Sequence, residues 1–578
     1  MFEVTAKIYN GDQLIKYEVL DNNTKIKKVM SVEMVQGLAV AGALINAKFN
    51  ERSRTLTGIN GYDLRTLPKK QEKIKKDNTN RCNYMYGNKL LSFVDNNLSL
   101  YSKERYLVED IMNFLSSPSN GKICALYGLR RTGKTVMMYH AIKRLFNEGN
   151  KNIAFISLTE NDSLALLFKN LQKLVDKGIK YIFIDEITSV NGFIQSSAIL
   201  ADTYAKMGIH IVIAGTDSYV INIASQNNLY DRLIKINTTY IGYKEYTHLN
   251  PEASILDYIH VGGVLPADIF YNEEKTKDYI NTAISGNIIN SLIRANNRKQ
   301  YKHLMELDDR GLLRKAIEQA IESSNEELTT GVITRSYENA TLGSAKQLME
   351  HIFNIDEVLD TAEVEERIRY KLSIVKEFDS EINEEYIQEL KDFLVAIGAI
   401  KMYHRYVLSN KRIRKIDVPI FVQPGLRYNQ TVALLNSLCE STSYFELDKS
   451  IRDKFWNKII EDVEGNLIEH EVLLSELMKH DGKEIEITQL ICDSKEIDMV
   501  IHNSKTAYLF EIKRNHNALD NQAKWLTNKE VNDCIKKLFG CTVNKKIVLY
   551  LGEDTTKIVA GEKIIYKNID SFLKDRLE

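Results

Sequence analysis

The chain has 578 residues, a hydrophobic content of 44% and a formal net charge of −1. Because one hydrophobic core does not support this length, we expect roughly three or four domains. No apolar run approaches the ~20 residues of a membrane-spanning helix, and the first residues lack a basic segment followed by an apolar one. We therefore expect a soluble cytoplasmic protein with no membrane partner. The balanced charge means that any contact with nucleic acid must use local patches.

The cysteines are scattered along the chain without the close spacing of a zinc site or a disulfide framework. We expect them to be reduced. They are Cys82, Cys124, Cys439, Cys492, Cys534 and Cys541.

Residues 1–67 predict a small α+β domain. Two strand-like runs meet at Asn10-Gly11-Asp12, which is typical of a hairpin, and an amphipathic helix is expected near residues 32–48. The domain carries no recognisable chemistry, so it either binds a protein partner or is a folding appendage. Residues 68–99 include the polar, basic run KKQEKIKKDNTNRCN and predict a linker, either solvated or touching phosphates.

A phosphate-binding loop is the clearest motif in the sequence. The apolar run Ile123–Tyr127 leads into Gly128-x-x-x-x-Gly133-Lys134-Thr135, and a helix-forming run follows. In this order backbone N–H groups surround a triphosphate, Lys134 reaches its β- and γ-phosphates, and Thr135 binds Mg²⁺. The residues expected to contact the nucleotide are Gly128, Arg130, Arg131, Thr132, Gly133, Lys134, Thr135, Val136 and Thr216.

Alternating apolar strands and helices over residues 100–266 predict a mostly parallel sheet covered on both faces. The expected strands are residues 123–127, 153–158, 181–185, 209–214 and 233–240. The third, YIFIDE, ends in Asp185 and Glu186, at the same carboxyl edge as the phosphate-binding loop. We expect Asp185 to hold Mg²⁺ and Glu186 to orient and deprotonate the attacking water.

Two further residues fit a hydrolytic site. Thr216 follows the strand IHIVIAG, where a small polar side chain can sense the γ-phosphate, although it could also cap the strand. Arg232 offers a guanidinium suited to phosphate charge, in its own or a neighbouring subunit, or it is a surface ion-pair residue. The neighbouring-subunit role would require a homo-oligomer.

Residues 100–266 resemble the archaeal-type AAA ATPases. The resemblance is carried by GLRRTGKT, IFIDEI, IAGTDS, the Asp-Arg pair before IKINTTYIGYKEYTHL, and YIHVGGVLP. The family's Phe-x-Glu-Phe-like stretch is here Tyr243-Lys244-Glu245-Tyr246, a mild departure. The resemblance implies ATP as the nucleotide, with Mg²⁺, on an ASCE-type core.

The two segments that follow predict a helical lid and a winged helix. Residues 267–365 are helical by pattern and resemble the lid of such ATPases. Residues 366–445 combine a helix with a basic two-stranded hairpin, as in a winged helix. Its residues Arg405, Lys411, Arg412, Arg414 and Lys415, with Tyr403 and Tyr406, either follow a phosphate backbone or belong to a solvated hairpin that packs on a neighbouring domain.

Residues 446–578 carry a second possible site. In KEIDMVIHNSKTAYLFEIKRN, Asp498 interrupts one strand, and Glu511 and Lys513 close the next on one face. Two carboxylates can bind Mg²⁺ while the ammonium positions a water, and Glu469 on the preceding helix points to the same place. This quartet resembles the PD-(D/E)xK nuclease fold over residues 460–555. The alternative is a salt-bridged Lys513 in a domain that only binds.

The sequence thus predicts an α/β multidomain protein in which a P-loop ATPase core is coupled to a PD-(D/E)xK nuclease-like domain. It would act on nucleic acid, DNA more than RNA, in defence against mobile DNA or in its maintenance. A nucleotide-gated scaffold with an inactive nuclease-like domain, which recruits a partner through residues 1–67, is the alternative.

Overall fold

The computed structural model describes residues 2–10, 13–21, 26–31, 35, 48–50, 55–57, 62–66, 83–265, 275, 279, 283, 286–295, 301–309, 384–409, 412–429, 432, 449–493 and 495–574. The chain divides into two compact units, Met1–Arg81 and Cys82–Glu578. Among the described residues, no helix is both long enough and apolar enough to cross a bilayer.

The first unit is built on a four-stranded sheet in the order β3-β2-β1-β6. The predicted hairpin at Asn10 is confirmed, because β1 and β2 pair antiparallel on either side of it. The predicted helix over residues 32–48 lies outside the described residues apart from Val35, which is helical. The strands are β1 Phe2–Asn10, β2 Gln13–Asp21, β3 Ile26–Ser31, β4 Lys48–Asn50, β5 Thr55–Thr57 and β6 Tyr62–Thr66.

The second unit begins with a six-stranded sheet in the order β12-β8-β11-β10-β9-β7. Strands β8 to β12 are parallel, and β11 lies between the strand that leads into the P-loop and the strand that ends at Asp185. The five predicted strands are therefore confirmed to within a few residues. The strands are β7 Asn83–Tyr86, β8 Ile123–Tyr127, β9 Ile153–Ser157, β10 Tyr181–Asp185, β11 His210–Gly215 and β12 Leu233–Asn237.

The expected linker over residues 68–99 is wrong from Asn83 onward. Strand β7 pairs antiparallel with β9 and forms the sheet edge, and the helix that follows buries Leu90 and Val94 completely. The polar run before it masked this short aromatic strand and its amphipathic helix.

Helices cover both faces of this sheet, and two more lie in the described part of the predicted lid. They are α1 Gly87–Leu98, α2 Val108–Ser116, α3 Lys134–Asn147, α4 Leu164–Asp176, α5 Phe193–Ile199, α6 Ser218–Gln226, α7 Tyr243–Leu249, α8 Ile255–Val261, α9 Gly286–Ala295 and α10 Lys302–Asp309. Residues 310–365 of the predicted lid lie outside the described residues.

The winged-helix interpretation of residues 366–445 is wrong in its topology. Helix α11 (Glu384–Ala396) and the hairpin of β13 (Ile400–Ser409) and β14 (Arg412–Phe421) are present. However, β13 also pairs in parallel with the first strand of the C-terminal domain. The hairpin is therefore the edge of a single eight-stranded sheet, in the order β14-β13-β15-β16-β17-β18-β20-β19.

Where the structure describes it, the rest of the C-terminal region consists of this sheet and the helices packed on it. Its elements are α12 Lys449–Lys479, β15 Glu486–Cys492, β16 Lys495–His502, β17 Thr506–Ile512, α13 Lys529–Phe539, β18 Thr542–Tyr550, β19 Thr555–Val559, β20 Glu562–Asn568 and α14 Ile569–Lys574.

One hydrophobic cluster joins the ATPase region to the C-terminal region. It contains Tyr258 and Ile259 of α8, Leu467 of α12 and Phe510 of β17. Burial of apolar area at about 25 cal/mol per Å² makes such a shared core a strong attachment. The two regions are therefore packed as one body, not as modules on a flexible linker.

The expectation that every cysteine is reduced is wrong for one pair. Cys492 at the end of β15 and Cys534 of α13 form a disulfide, whereas Cys124 and Cys541 are free and buried. The sequence separation of 42 between Cys492 and Cys534 hid this pairing from a search for close spacing.

Candidate functional site

The P-loop follows β8 and closes on the first turn of α3. Gly128 and Gly133 have φ angles of 148° and 82°, which L side chains rarely adopt. A Cβ at Gly128 would lie 2.6 Å from Thr239 Oγ1 and 2.7 Å from Thr238 Oγ1. Glycine is therefore required at Gly128 both by the backbone angle and by the two threonines packed against it.

The Lys134 ammonium lies inside this loop. Its Nζ donates to the carbonyl oxygens of Gly128, at 2.9 Å, and Leu129, at 2.7 Å. Burial lowers the pKa of Lys134 to about 8, against the opposing effect of the Glu186 and Asp185 carboxylates. The phosphates of a nucleotide would replace these carbonyls as the partners of the ammonium.

The predicted magnesium ligands meet directly. Thr135 Oγ1 donates to Asp185 Oδ2 at 2.7 Å, although the two residues are fifty positions apart in the sequence. Asp185 is 6% exposed, and burial raises its pKa to about 6 while the Thr135 bond opposes the rise. A hydroxyl beside a buried carboxylate is an oxygen donor set that suits Mg²⁺.

Glu186 lies beside these ligands in a strained backbone conformation. Its φ of 55° is in the left-handed region, where a non-glycine residue costs of order 1–3 kcal/mol. Glu186 Oε2 accepts from Thr216 Oγ1 at 3.3 Å, which brings the ends of β10 and β11 together. The lid-region helix α9 reaches the same point, because Asn287 Nδ2 donates to Thr216 O at 2.9 Å.

Arg105 braces the site, and the sequence analysis missed it. This residue is 4% exposed and forms a bidentate ion pair with Glu245, whose shorter bond is 2.7 Å. Arg105 also donates to the carbonyl oxygens of Thr132 in the P-loop, at 2.7 Å, and of Thr238 and Tyr240 beyond β12, at 2.8 and 2.9 Å. Only an arginine has the donors for this pattern.

The remaining predicted nucleotide contacts lie along the same loop. The side chains of Arg130 and Arg131 are exposed, Thr132 is fully buried, and Val136 is half-buried on α3. Arg130 O accepts from the Tyr279 hydroxyl at 3.2 Å.

Arg232 is not at this edge of its own subunit. Its carbonyl accepts from Ile123 N at the start of β8, so the residue lies at the amino edge of the sheet. A five-residue strand, roughly 16 Å, separates it from the P-loop. Its guanidinium pairs with Asp202. The own-subunit role is therefore wrong, and the role in a neighbouring subunit stays a prediction.

Asp498, Glu511, Lys513 and Glu469 make up what we call the acidic cluster of the C-terminal region. It forms where the register of β16 is irregular. The register of the β15–β16 pairing shifts between Thr488 and Leu490. Across this shift β16 advances by three residues while β15 advances by two. Such a bulge re-aims a side chain and is frequent near active sites. It includes Asp498, whose Oδ2 accepts from Ile512 N at 2.7 Å.

Three of the four residues predicted to act together are in contact, and Glu469 lies near enough to interact electrostatically with Asp498 and Lys513. Lys513 Nζ lies 2.9 Å from Asp498 Oδ2 and 2.8 Å from Glu511 Oε2. Burial and the Asp498 carboxylate raise the pKa of Glu511 to about 8 and hold that of Glu469 well above its usual range. Burial alone would lower the pKa of Lys513, but the surrounding carboxylates keep it high.

A metal ion would find hard oxygen donors here. Glu511 is 3% exposed, and its Oε1 has no hydrogen-bond partner among the described residues. Such an unpartnered buried oxygen costs free energy unless a ligand or water satisfies it. Even so, no group of three or more histidine, cysteine, aspartate or glutamate side chains in the described part of the chain is arranged to hold a metal. Asp498 and Glu511 supply two carboxylates only.

Some residues of the basic hairpin are exposed, and others are engaged inside the protein. Arg412, Arg414 and Lys415 on β14 are exposed, and Lys411 lies outside the described residues. Arg405 is half-buried and donates to Gln489 Oε1 at 2.6 Å, and Tyr403 is 2% exposed. The exposed charges on the edge strand are therefore available to a phosphate backbone, whereas Arg405 and Tyr403 are engaged internally.

Comparison with known proteins covers part of the chain. Residues 120–247 match the family model described as AAA domain. Uncharacterized protein MJ1544 of Methanocaldococcus jannaschii is 25% identical over 173 residues, which make up 29% of this chain and 37% of that relative. The chain thus matches little more than a third of that relative's length.

Two of the solved structures to which the chain is similar are remote likenesses. The Saccharomyces cerevisiae Hsp104:casein complex is 16% identical, with 53% of this chain and 52% of that chain covered and a TM-score of 0.21. Cdc6p from Pyrobaculum aerophilum is 13% identical, with 57% and 93% covered and a TM-score of 0.20. Scores this low carry no argument. The family match and the P-loop geometry identify residues 120–247 as an AAA-type P-loop ATPase domain.

Proposed function

We propose that the carboxyl edge of the ATPase sheet binds Mg²⁺·ATP and hydrolyses it. The supporting observation is the convergence of Lys134, Thr135, Asp185 and Glu186, with Thr135 Oγ1 bonded to Asp185 Oδ2 at 2.7 Å. Lys134 binds the β- and γ-phosphates, while Thr135 and Asp185 hold the metal. Glu186 accepts the proton of the attacking water, and Thr216 orients Glu186 through their shared hydrogen bond. The bound Mg²⁺ supplies charge neutralisation at the phosphates.

Equilibrium binding tests this proposal. Lys134→Ala should lose measurable binding of a fluorescent ATP analogue, because a buried cation that contacts the phosphates is removed. Lys143→Ala is the matched control on the same helix, since Lys143 is partly exposed and pairs with Asp95. Equal affinities for the two variants would refute the assignment of the P-loop.

We further propose that the acidic cluster is a metal-dependent nuclease site for nucleic acid, DNA more than RNA. Its support is the meeting of Asp498, Glu511, Lys513 and Glu469, with an unpartnered buried oxygen on Glu511 among the described residues. Asp498 and Glu511 would hold the metal, which would supply Lewis-acid polarisation of the scissile phosphate. Lys513 positions the water. The exposed Arg412, Arg414 and Lys415 supply nonspecific contacts with the phosphate backbone.

Cleavage assays test the second site independently. The purified chain with Mg²⁺ or Mn²⁺ is incubated with plasmid, linear DNA and RNA. Asp498→Asn should abolish cutting and leave ATP turnover intact, whereas Asp520→Asn, at an exposed ion pair with Lys557, should change neither. Cutting by Asp498→Asn at the wild-type rate would contradict the assignment.

A nucleotide-gated scaffold is the second candidate function. It is favoured by the position of Lys513, which neutralises both carboxylates, and by the lack of a three-ligand metal cluster among the described residues. In that case residues 1–67 recruit a protein partner, and no substrate is cut. Retained ATP turnover without cleavage of any nucleic acid would select this function.

The assembly we propose is a homo-oligomer. Arg232 lies at the sheet edge opposite its own P-loop, so its contact with a nucleotide requires a neighbouring subunit. Mixing Arg232→Ala with Lys134→Ala subunits tests this assignment, because heteromeric assembly would restore part of the lost ATP turnover.

A further inference from the structure

Helix α12 contacts the ATPase domain and also carries a residue of the acidic cluster. Glu464 and Glu471 are separated by two helical turns and therefore share one face, whereas Glu469 points to the opposite side. The shared face contacts the ATPase domain, and Glu469 contributes to the acidic cluster. A displacement of this one helix would change the position of Glu469.

The first contact is a short route from the P-loop. Leu129 N, within the loop, donates to Thr239 Oγ1 at 3.2 Å. The next residue, Tyr240, donates through its hydroxyl to Glu471 Oε1 at 3.1 Å. Glu471 is 2% exposed, so this bond is shielded from water. Two consecutive residues thus join a P-loop amide to α12.

The second contact is a chain of polar side chains. His260 Nε2 of α8 lies 2.8 Å from Glu464 Oε1, and Glu464 Oε2 lies 2.6 Å from Arg514 Nη2. Glu464 is 5% exposed, and Arg514 directly follows Lys513 of the acidic cluster. This chain ties the ATPase domain to the strand end that carries Lys513.

Nucleotide binding must disturb the start of the first route. Lys134 Nζ now contacts the carbonyls of Gly128 and Leu129, and phosphates would take over that ammonium. The Leu129 carbonyl then loses one of its donors, at the residue whose amide holds Thr239. The contacts along the route are buried or part-buried and hydrogen-bonded, so an adjustment passes to a packed neighbour.

We propose that ATP binding regulates the acidic cluster by repositioning α12 through the Tyr240–Glu471 and His260–Glu464 contacts. This inference rests on the proposed binding of ATP and on the proposed role of the acidic cluster. It makes Tyr240, Glu464 and Glu471 positioning residues that touch neither substrate.

Hydrogen exchange of the full chain tests the coupling without relying on cleavage. The Glu186→Gln variant is saturated with Mg²⁺·ATP, and exchange of α12 amides is compared with and without nucleotide. Coupling between sites typically changes an equilibrium about 5- to 150-fold, so we expect a change of at least about fivefold. Adding Tyr240→Phe should reduce that change by about fivefold, the value of one net hydrogen bond. Tyr101→Phe is the matched control, because Tyr101 is 41% exposed, and it should leave the nucleotide-dependent change in α12 exchange as it is.

A second variant distinguishes coupling through the Tyr240–Glu471 contact from a local effect on the P-loop. Glu471→Ala leaves the loop itself untouched, yet it should change ATP affinity, because it shifts the position of a helix that is coupled to ATP binding. The isosteric Glu471→Gln should retain most of the coupling. Bound ATP with no change in α12, or the same change after Tyr240→Phe and Glu471→Ala, would overturn this inference alone. Failure of ATP to bind would overturn the proposed ATPase site as well. A change in α12 without cleavage of any nucleic acid would support the coupling and refute the nuclease.

Discussion

Replacing Arg105 by alanine should loosen the ATPase sheet far more than the removal of a surface arginine. The guanidinium holds the Glu245 carboxylate and three backbone carbonyls, and the side chains of the pair are only 3% and 10% exposed. Its loss leaves Glu245 as a buried charge without its partner. Breaking such a pair costs about 3–5 kcal/mol.

The magnitude can be read from hydrogen exchange of β8, whose amides are released when the ATPase sheet opens. A loss of about 3 kcal/mol corresponds to roughly 150-fold faster exchange, since each 1.4 kcal/mol is about tenfold. This readout is preferable to fluorescence, because both tryptophans, Trp456 and Trp525, lie in the C-terminal region.

Arg144→Ala is the control for Arg105→Ala. Arg144 pairs with Glu104 and Glu109, but its side chain is 37% exposed, so about 0–1 kcal/mol is expected. The exchange rate of β8 in Arg105→Lys should fall between those of the two alanine variants. Lysine keeps the charge but lacks the planar guanidinium that reaches several carbonyl oxygens at once. Exchange in Arg105→Ala within about fivefold of Arg144→Ala would refute the bracing role.

Three further predictions concern the nucleotide site. Gly128→Ala should weaken ATP binding about 5- to 150-fold in a direct titration, because the strained φ and the nearby hydroxyls cost about 1–3 kcal/mol; wild-type affinity would contradict the glycine requirement. Mg²⁺·ATP affinity should be highest between pH 6 and 8 by calorimetry: below the pKa of about 6 Asp185 takes up a proton and loses the metal, and above that of about 8 Lys134 loses the charge that attracts phosphate. A flat profile from pH 5 to 9 would count against both roles. Thr216→Val should lower kcat and leave ATP affinity unchanged, because the lost hydrogen bond orients Glu186; an equal kcat would remove Thr216 from catalysis.

The sequence predicted the ATPase core well, because its strands are short, apolar and bounded by recognisable motifs. The P-loop glycines Gly128 and Gly133, and the acidic pair Asp185-Glu186 after the strand YIFI, have few functions in a buried parallel sheet other than nucleotide binding. The local pattern is therefore enough to place Thr135 and Asp185 at one edge of the sheet.

Contacts between distant segments were not readable in the same way. Arg105 lies in a polar stretch with no periodic pattern, and only folding brings it to Thr132, Thr238 and Glu245. Likewise, nothing in the hairpin of β13 and β14 reveals that β13 pairs with β15, about eighty residues later. A hairpin has two open edges, and the local sequence does not say which of them is covered.

The C-terminal quartet is an intermediate case. Glu511 and Lys513 share a strand face by simple alternation, so their proximity follows from the sequence. Asp498 reaches them at a bulge, which shifts the register of β16 in a way that alternation does not predict.

The most direct test of the central claim is single-turnover hydrolysis of ATP by Glu186→Gln with its binding measured in parallel. If Lys134, Thr135, Asp185 and Glu186 form one hydrolytic site, the variant should bind Mg²⁺·ATP about as tightly as wild type and hydrolyse it about 10²- to 10⁴-fold more slowly. Hydrolysis at the wild-type rate with ATP bound would contradict the assignment of these four residues to one active site.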